Sequence, residues 1–309
     1  MENIILWTIQ ILLLPALSPL CVGIIRKIKA RFQNRQGASV FQPYNDLWKL
    51  FHKDEVISAD ASWIFRFAPF AIFGATMAVS AGIPIFASFL SNNFTSDILV
   101  VIYILAIGTF FLALAGLDVG GAFGGFGASR EMTVSSLAEG GLLFSLLVLS
   151  IVSGTTNLFS ISGTIDSLPL ASLLPVGLAF LGFFIAMLAE TARFPFDNPS
   201  THLELTMIHE AMIIEYSGKR LALIEWASAN KLLIFITLGS SLFFPMGIAH
   251  SIGLIAIAAA ILIFLLKVLV FCIVIAIIES GIAKLRLFRL PDLLLFSFIL
   301  SIIAIGLII

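Results

Sequence analysis

The residues best suited to chemistry lie between Glu190 and Lys231, where carboxylates and imidazoles occur beside strongly apolar sequence. The acids of this stretch are Glu190, Asp197, Glu204, Glu210, Glu215 and Glu225, and its histidines are His202 and His209. A carboxylate that is partly buried in apolar surroundings binds a proton more tightly than it does in water, and neighbouring carboxylates raise one another's affinity. The stretch therefore has the chemistry of a proton relay. The alternative is that these are loop acids paired with basic residues of the same stretch, namely Arg193, Lys219 and Arg220.

Part of this stretch, residues 203–215, is too apolar for a simple surface loop. We expect a short helix there that packs against a membrane-embedded bundle. Helical periodicity would bring Glu204 and Glu215 near one face, with Asp197 beside Glu204 if the helix begins that early. Glu210 would point elsewhere.

Two further ionisable residues, Glu139 and Lys267, lie inside apolar segments. Each would cost several kcal/mol in contact with lipid, so both should face the bundle interior or water. Either a role in ion movement or a structural ion pair would account for them.

Two motifs resemble known ligand sites but lack essential residues. His209 and Glu210 begin like the zinc-protease sequence His-Glu-x-x-His, yet position 213 is isoleucine, so metal binding is disfavoured. The glycine-rich residues 120–130 lack the Gly-Lys-Ser/Thr ending of a phosphate loop, and close packing of a loop is the better account. Arg130, which ends this stretch, could pair with an inward-facing carboxylate.

The elements that must position these groups are membrane helices. Of the 309 residues 60% are hydrophobic and 11% are charged, against roughly a quarter charged in soluble domains. One span takes roughly 20 apolar residues, and eight apolar runs can be marked, which predicts an all-α polytopic protein with a single integral membrane domain over residues 1–309. The runs cover 4–25, 67–90, 98–117, 133–153, 168–189, 232–248, 252–278 and 290–309.

The basic residues predict how these spans are oriented. Lys and Arg tend to stay on the cytoplasmic side, and all but Lys267 of the 17 basic residues fall in alternate connections between the eight runs. This pattern predicts large cytoplasmic loops between spans 1 and 2 and between spans 5 and 6, and both termini outside. We therefore expect a multi-pass protein of the cell inner (cytoplasmic) membrane.

Charge and cysteine content narrow the function further. The formal net charge of −1 gives no indication of a nucleic-acid partner. Cys21 and Cys272 both lie in apolar runs without a Cys-x-x-Cys pair, so a disulfide framework and a protein-bound iron-sulfur cluster are disfavoured. We expect no cofactor on this chain, and any redox centre would belong to a partner.

Several segments resemble the membrane protein of respiratory complex I that joins the membrane and hydrophilic arms, the complex I subunit 1 family. Residues 189–197, Ala-Glu-Thr-Ala-Arg-Phe-Pro-Phe-Asp, resemble its signature Ala-Glu-x-x-Arg-x-Pro-Phe-Asp, and residues 215–217 resemble its closing Glu-Tyr-Ser. Residues 127–130, Gly-Ala-Ser-Arg, followed by Glu139, are similar to its Gly-Ala-x-Arg with a glutamate nine residues later. The first loop, with Arg35, Gln42-Pro43, Asp46 and Lys49-Leu50, extends the likeness to essentially the whole chain.

Residues 197–212 look like the version of this protein in group 4 energy-converting hydrogenases, the hydrogenase-4 component C and formate hydrogenlyase subunit 4 type. The first loop also lacks most of the Gly-Pro-Asn-Arg segment typical of complex I. The resemblance implies a non-catalytic subunit that docks an iron-sulfur small subunit and a hydrogenase-like large subunit, the type that can carry nickel and iron. It also implies neighbouring antiporter-like membrane subunits.

Residue chemistry and this resemblance together give one set of site residues. In the family, the acids matching Glu139, Glu190, Glu204 and Glu215 belong to the polar path from the redox arm to the ion pumps, and Glu210 belongs to the hydrogenase version. The predicted proton pathway consists of Glu139, Glu190, Glu204, Glu210, Glu215, Asp197, Lys267 and His209, with Arg130, Arg193, Arg35 and Glu279 as charge partners. Three alternatives remain: a quinone-binding complex I subunit, a stand-alone ion transporter and a passive anchor.

Overall fold

A computed structural model describes residues 2–88, 95–165, 173–197, 207–249 and 253–308. These residues form helices and contain no β-strand. The helices are α1 Glu2–Phe32, α2 Gln42–His52, α3 Trp63–Ser80, α4 Ile98–Asp118, α5 Ala122–Ser153, α6 Leu158–Ile165, α7 Leu173–Glu190, α8 His209–Ile213, α9 Gly218–Leu238, α10 Leu254–Gly281 and α11 Leu290–Gly306. A π-helical turn, Gly239–Phe243, continues α9, and a 3₁₀ turn, Leu287–Arg289, precedes α11.

Eight of the described helices, α1, α3, α4, α5, α7, α9, α10 and α11, are long and apolar enough to cross a membrane. The predicted all-α, eight-span class is confirmed. The connections before α3, before α5, after α7 and before α11 lie at one end of the bundle, which we call the basic end because it carries most of the lysines and arginines. Contacts such as Ser217 Oγ to Val56 O (2.9 Å) and Lys284 Nζ to Asp197 Oδ1 (2.6 Å) join these connections.

The predicted start of the fourth span was wrong, because α5 begins at Ala122 rather than near residue 133. The glycine-rich stretch is helical and lets neighbouring elements approach closely. A Cβ on Gly124 would collide with the backbone oxygen of Gly116 in α4, and one on Gly127 would lie 2.8 Å from Ile208 O, next to α8. Arg130 is therefore a helix residue, and Glu139 lies near the middle of α5.

The sixth span also begins earlier than predicted, at Gly218 instead of residue 232. Its first half was missed because Glu225, Asn230 and Lys231 lower the local hydropathy, although Ala222, Ile224 and Ala227 are buried. Trp226 holds this half against α1 by donating its indole N–H to Pro15 O at 2.9 Å. Lys231, predicted in a loop, lies inside the span.

Helices α1 and α10 run side by side in the same direction, since two contacts join them in register. Cys21 faces Cys272, and further along both helices Lys29 binds Glu279 at 3.2 Å. The end of α10 is thereby held at the basic end of the bundle, next to the segment that follows α7.

Candidate functional site

Two carboxylates share one hydroxyl inside the bundle. Glu190 ends α7 and is 8% exposed. Ser135 of α5 lies 3.2 Å from Glu190 Oε1 and 3.4 Å from Glu139 Oε1, one helical turn further along α5. A serine hydroxyl has one proton to donate and lone pairs to accept with. It can therefore accept a bond from one protonated carboxyl while donating to the other, which is the arrangement that a proton transfer between them needs.

A lysine pairs with one of these acids, Glu190, at its second carboxylate oxygen. Lys231 Nζ of α9 lies 2.8 Å from Glu190 Oε2 and donates to Thr109 Oγ1 of α4 at 3.0 Å. Both side chains are mostly buried, so their attraction is only weakly screened by solvent. Glu190 thus bonds to α5 through Ser135 and to α9 through Lys231.

A small cavity of about 40 Å³ lies beside this ion pair. Its polar lining comprises Thr76, Thr109, Glu131, Glu190, Thr191, His209, Ser228 and Lys231. A water molecule needs roughly 10–15 Å³ of such space and two to four polar partners, and the cavity offers both. Water held there would link the Glu131 carboxylate and the His209 imidazole to Glu190.

A larger cavity of about 390 Å³ adjoins the small one at the basic end. Thr191, Ala192, His209 and Ser228 line both cavities. The charged residues on the wall of the large cavity are Arg26, Lys29, Asp46, Arg193, Glu210, Glu225 and Glu279. His209 therefore lies between a polar chamber at the basic end and the carboxylates inside the bundle.

Asp197 fixes the start of α8, and hence the position of His209. Its Oδ2 accepts the backbone N–H of His209 at 3.1 Å, and Lys284 Nζ binds Oδ1 at 2.6 Å. Burial lowers the pKa of His209 to about 4; Asp197 opposes this effect, while Lys231 and Arg193 add to it. The imidazole is therefore neutral at pH 7, with one nitrogen able to donate and the other able to accept.

Glu210 follows His209 and faces the large cavity. Its pKa is raised from an ordinary 4.5 to about 7, mainly by burial and further by the charges of Glu225 and Asp197, while Arg26 opposes the shift. The group can therefore take up or release a proton at physiological pH.

Glu279, predicted as a charge partner, holds two cations. Its Oε1 lies 3.1 Å from Arg193 Nη1 and its Oε2 lies 3.2 Å from Lys29 Nζ. Its side chain is almost fully buried, and the three charges join α1, α10 and the segment after α7 along the wall of the large cavity.

The remaining predicted site residues lie apart from these groups or contact other elements. Arg130 donates to Met207 O at 3.1 Å, just before α8, while Arg35 and Glu215 are exposed. Lys267 donates to the backbone oxygens of Ser240 and Phe244 at the π-helical turn of α9. Glu204 and the residues beside it, 198–206, lie outside the described residues.

Comparison with known proteins identifies the family of this chain. The model of the NADH dehydrogenase family matches residues 4–309. The chain belongs to this family. This match and the relatives described next confirm the resemblance to the complex I membrane protein and its hydrogenase form.

Similar members of the NADH dehydrogenase family include two proteins of Escherichia coli. Hydrogenase-4 component C is 34% identical over 96% of this chain and 92% of that protein, and formate hydrogenlyase subunit 4 is 33% identical over 90% of each. A solved chain of the membrane-bound sulfane sulfur reductase, an archaeal respiratory membrane complex, has the same fold. Its TM-score is 0.83 at 20% identity, covering 98% of this chain and 100% of that one.

Sequence reasoning missed three members of the site in this NADH dehydrogenase family chain, Lys231, Glu131 and Ser135. Lys231 was assigned to a loop, and Glu131 was not singled out because it was placed before the fourth span. Glu131, Ser135 and Glu139 recur every four residues, which puts all three on one face of α5. Had the start of α5 at Ala122 been recognised, this spacing would have revealed them.

Proposed function

We propose that this chain is a non-catalytic membrane subunit of an energy-converting redox complex of the group 4 hydrogenase type. It docks a hydrophilic arm at the basic end and links electron transfer there to proton or ion translocation through its buried carboxylates. The arm carries the iron-sulfur clusters and the hydrogenase-like centre, and antiporter-like subunits adjoin the bundle in the cytoplasmic membrane.

The observation that carries the proposal is the series of polar groups from the large cavity to Glu139. Glu210 and the other charged groups line the chamber at the basic end, and His209 separates that chamber from the small cavity. From the small cavity, Glu190 and Ser135 lead to Glu139. The direct hydrogen bonds of this series are at most 3.4 Å long. The other steps cross the cavities, which provide room for water.

Coupling requires that the redox states of the arm interact differently with these acids, because equal interaction would shift no equilibrium. The large cavity is suited to this role because its carboxylates and cations lie where the arm would dock. A charge that appears near Asp46, Glu210 or Glu225 changes the proton affinity of these acids. His209 then relays the exchanged proton between them and Glu190.

The decisive experiment replaces the acids inside the bundle in an assembled complex. With Glu139→Gln or Glu190→Gln we expect proton uptake by inverted membrane vesicles to fall about tenfold or more, since a positioned proton carrier is lost. The redox half-reaction with an artificial electron carrier should persist, because the arm is unchanged. The matched control is Asp60→Asn, an exposed acid at the basic end. Unchanged uptake in both bundle variants, with assembly intact, would refute the proposed coupling role.

The partners are tested separately by gentle purification of this chain from its native membrane, followed by mass spectrometry and metal analysis. We expect an iron-sulfur protein, a nickel-iron hydrogenase-like protein and antiporter-like proteins to copurify. A nickel-free arm with inhibitor-sensitive quinone reductase activity would replace this proposal by a complex I role, and transport by the isolated chain in proteoliposomes would replace it by a transporter role.

A further inference from the structure

The two cysteines of this chain, 251 positions apart in sequence, meet inside the bundle. The Sγ atoms of Cys21 in α1 and Cys272 in α10 are 3.1 Å apart, and the two residues are 2% and 0% exposed. Both are free thiols, and the sequence contains no other cysteine. Sequence reasoning, which judged each by its neighbours in the chain, gave no reason to connect them.

The geometry needs little change for the two sulfurs to bond. A disulfide places its sulfurs about 2.05 Å apart, so a movement of about 1 Å would suffice. The helices are already held in register by Lys29 and Glu279, two turns beyond the cysteines. Closing the bond would therefore tighten an existing interface without moving α10 along α1.

The surroundings determine which reagent could oxidise the pair. Cys272 itself is buried, but the next two residues of α10, Ile273 and Val274, are 37% and 38% exposed on an apolar face that would contact lipid. A water-soluble charged oxidant is excluded from such a face, whereas an uncharged, membrane-soluble one can reach it.

We propose that Cys21 and Cys272 are a site of reversible oxidation, at which an uncharged two-electron acceptor dissolved in the membrane converts the thiol pair to a disulfide that ties α1 to α10. The Sγ–Sγ bond forms as both S–H bonds break, and the acceptor gains the two electrons and two protons. A dithiol reductant reverses the step. This site is independent of the proposed function, since neither cysteine belongs to the polar series.

The test uses the full-length chain in its native complex and the uncharged azo compound diamide as the acceptor. After treatment, free thiols are alkylated in denaturant, the sample is reduced, and newly freed thiols are alkylated with an isotopically heavier reagent. Before treatment we expect two light labels per chain; after it, close to none, with two heavy labels and a faster-moving monomer on a non-reducing gel.

The controls use the same chemistry on single-thiol chains. In Cys21→Ser and Cys272→Ser, the remaining thiol should keep its light label, because it has no partner within the chain. Two light labels on the wild-type chain after diamide, in a sample where added glutathione is fully oxidised, would overturn the proposal. Heavy labels confined to dimers on the non-reducing gel would overturn it as well.

Discussion

At the scale of single residues, Lys231 is the residue whose structural role differs most from the sequence-based prediction. As a loop lysine it would be a solvated charge of little energetic importance, whereas inside α9 it is the cation that pairs with Glu190 in the bundle. Removing one partner of a buried pair leaves the other charge without compensation, and this costs far more than the pair itself contributes.

We therefore predict that Lys231→Met destabilises the chain by roughly 3–5 kcal/mol. The double variant Lys231→Met with Glu190→Gln should recover much of that loss, since no uncompensated charge remains. Thermal unfolding in detergent measures both. Lys219→Met, an exposed lysine at the start of the same helix, is the control and should change little. Equal losses in the single and double variants would contradict this account.

Glu210 provides a prediction about pH. Because its pKa is raised to about 7, the carboxyl stays protonated in the folded protein at pH values where it would be ionised in the unfolded chain. Its contribution to stability is therefore complete below about pH 4.5 and is lost as the pH rises through 7. In infrared difference spectra, the carbonyl band of protonated carboxyls should disappear near pH 7 in the wild type and be weaker in Glu210→Gln.

The control for Glu210 is the exposed Glu215 of the same segment. Glu215→Gln should leave the band that titrates near pH 7 in place. An unchanged band intensity in Glu210→Gln would show that Glu210 does not carry a proton that titrates there.

At the scale of the helices, the glycines of α5 decide how close the site residues can come. Gly124 lies against the backbone of Gly116 in α4, and Gly127 lies against Ala211 of α8. These contacts bring α8 and its His209 against the helix that carries Glu131, Ser135 and Glu139. Small residues that allow close backbone approach are the usual device for packing helices in membranes.

We predict that Gly124→Ala destabilises the chain by about 1–3 kcal/mol, because its methyl group would force α4 and α5 apart. Gly125→Ala is the matched control, since a Cβ there would meet only Leu117 Cδ2 at 3.8 Å, an ordinary contact. The control should be neutral or gain up to about 1 kcal/mol from improved helix propensity. Thermal unfolding of the two variants checks the difference, and similar midpoints would show that the close approach is unimportant.

Errors in the predicted helix boundaries explain most of what the sequence analysis missed. The eight spans and their class followed from apolar runs. The average hydropathy of a run, however, does not show on which face of the helix a polar residue lies. Glu131 and Lys231 were therefore placed outside the spans, although each faces a polar interior. Conversely, the acids Glu139 and Glu190 were recognised, because charge next to apolar sequence stands out without any knowledge of the fold.

At the scale of the whole molecule, most of the lysines and arginines lie at the basic end of the bundle. The connections at the basic end are joined by Asp197 with Lys284, by Glu279 with Lys29 and Arg193, and by Glu55 with Arg220 at 2.6 Å. These distant pairings could not be read from the sequence, since their members are far apart along the chain.

We predict that the basic end faces the cytoplasm, as the distribution of Lys and Arg indicates. In a chain whose two native cysteines are replaced by serine, Asp54→Cys should react with a membrane-impermeant maleimide only in inverted vesicles. Ser160→Cys, at the opposite end, should react only in right-side-out vesicles. The reverse pattern would reject this orientation.

The fixed charge of Lys231 beside the small cavity limits which ions could follow the proposed route. A sodium ion in the small cavity would meet the fixed ammonium group of Lys231 there. A proton can cross this site by exchange of hydrogen bonds among Ser135, His209 and an intervening water molecule. No ion has to move through the cavity. Under the proposed function this site therefore favours protons over sodium ions.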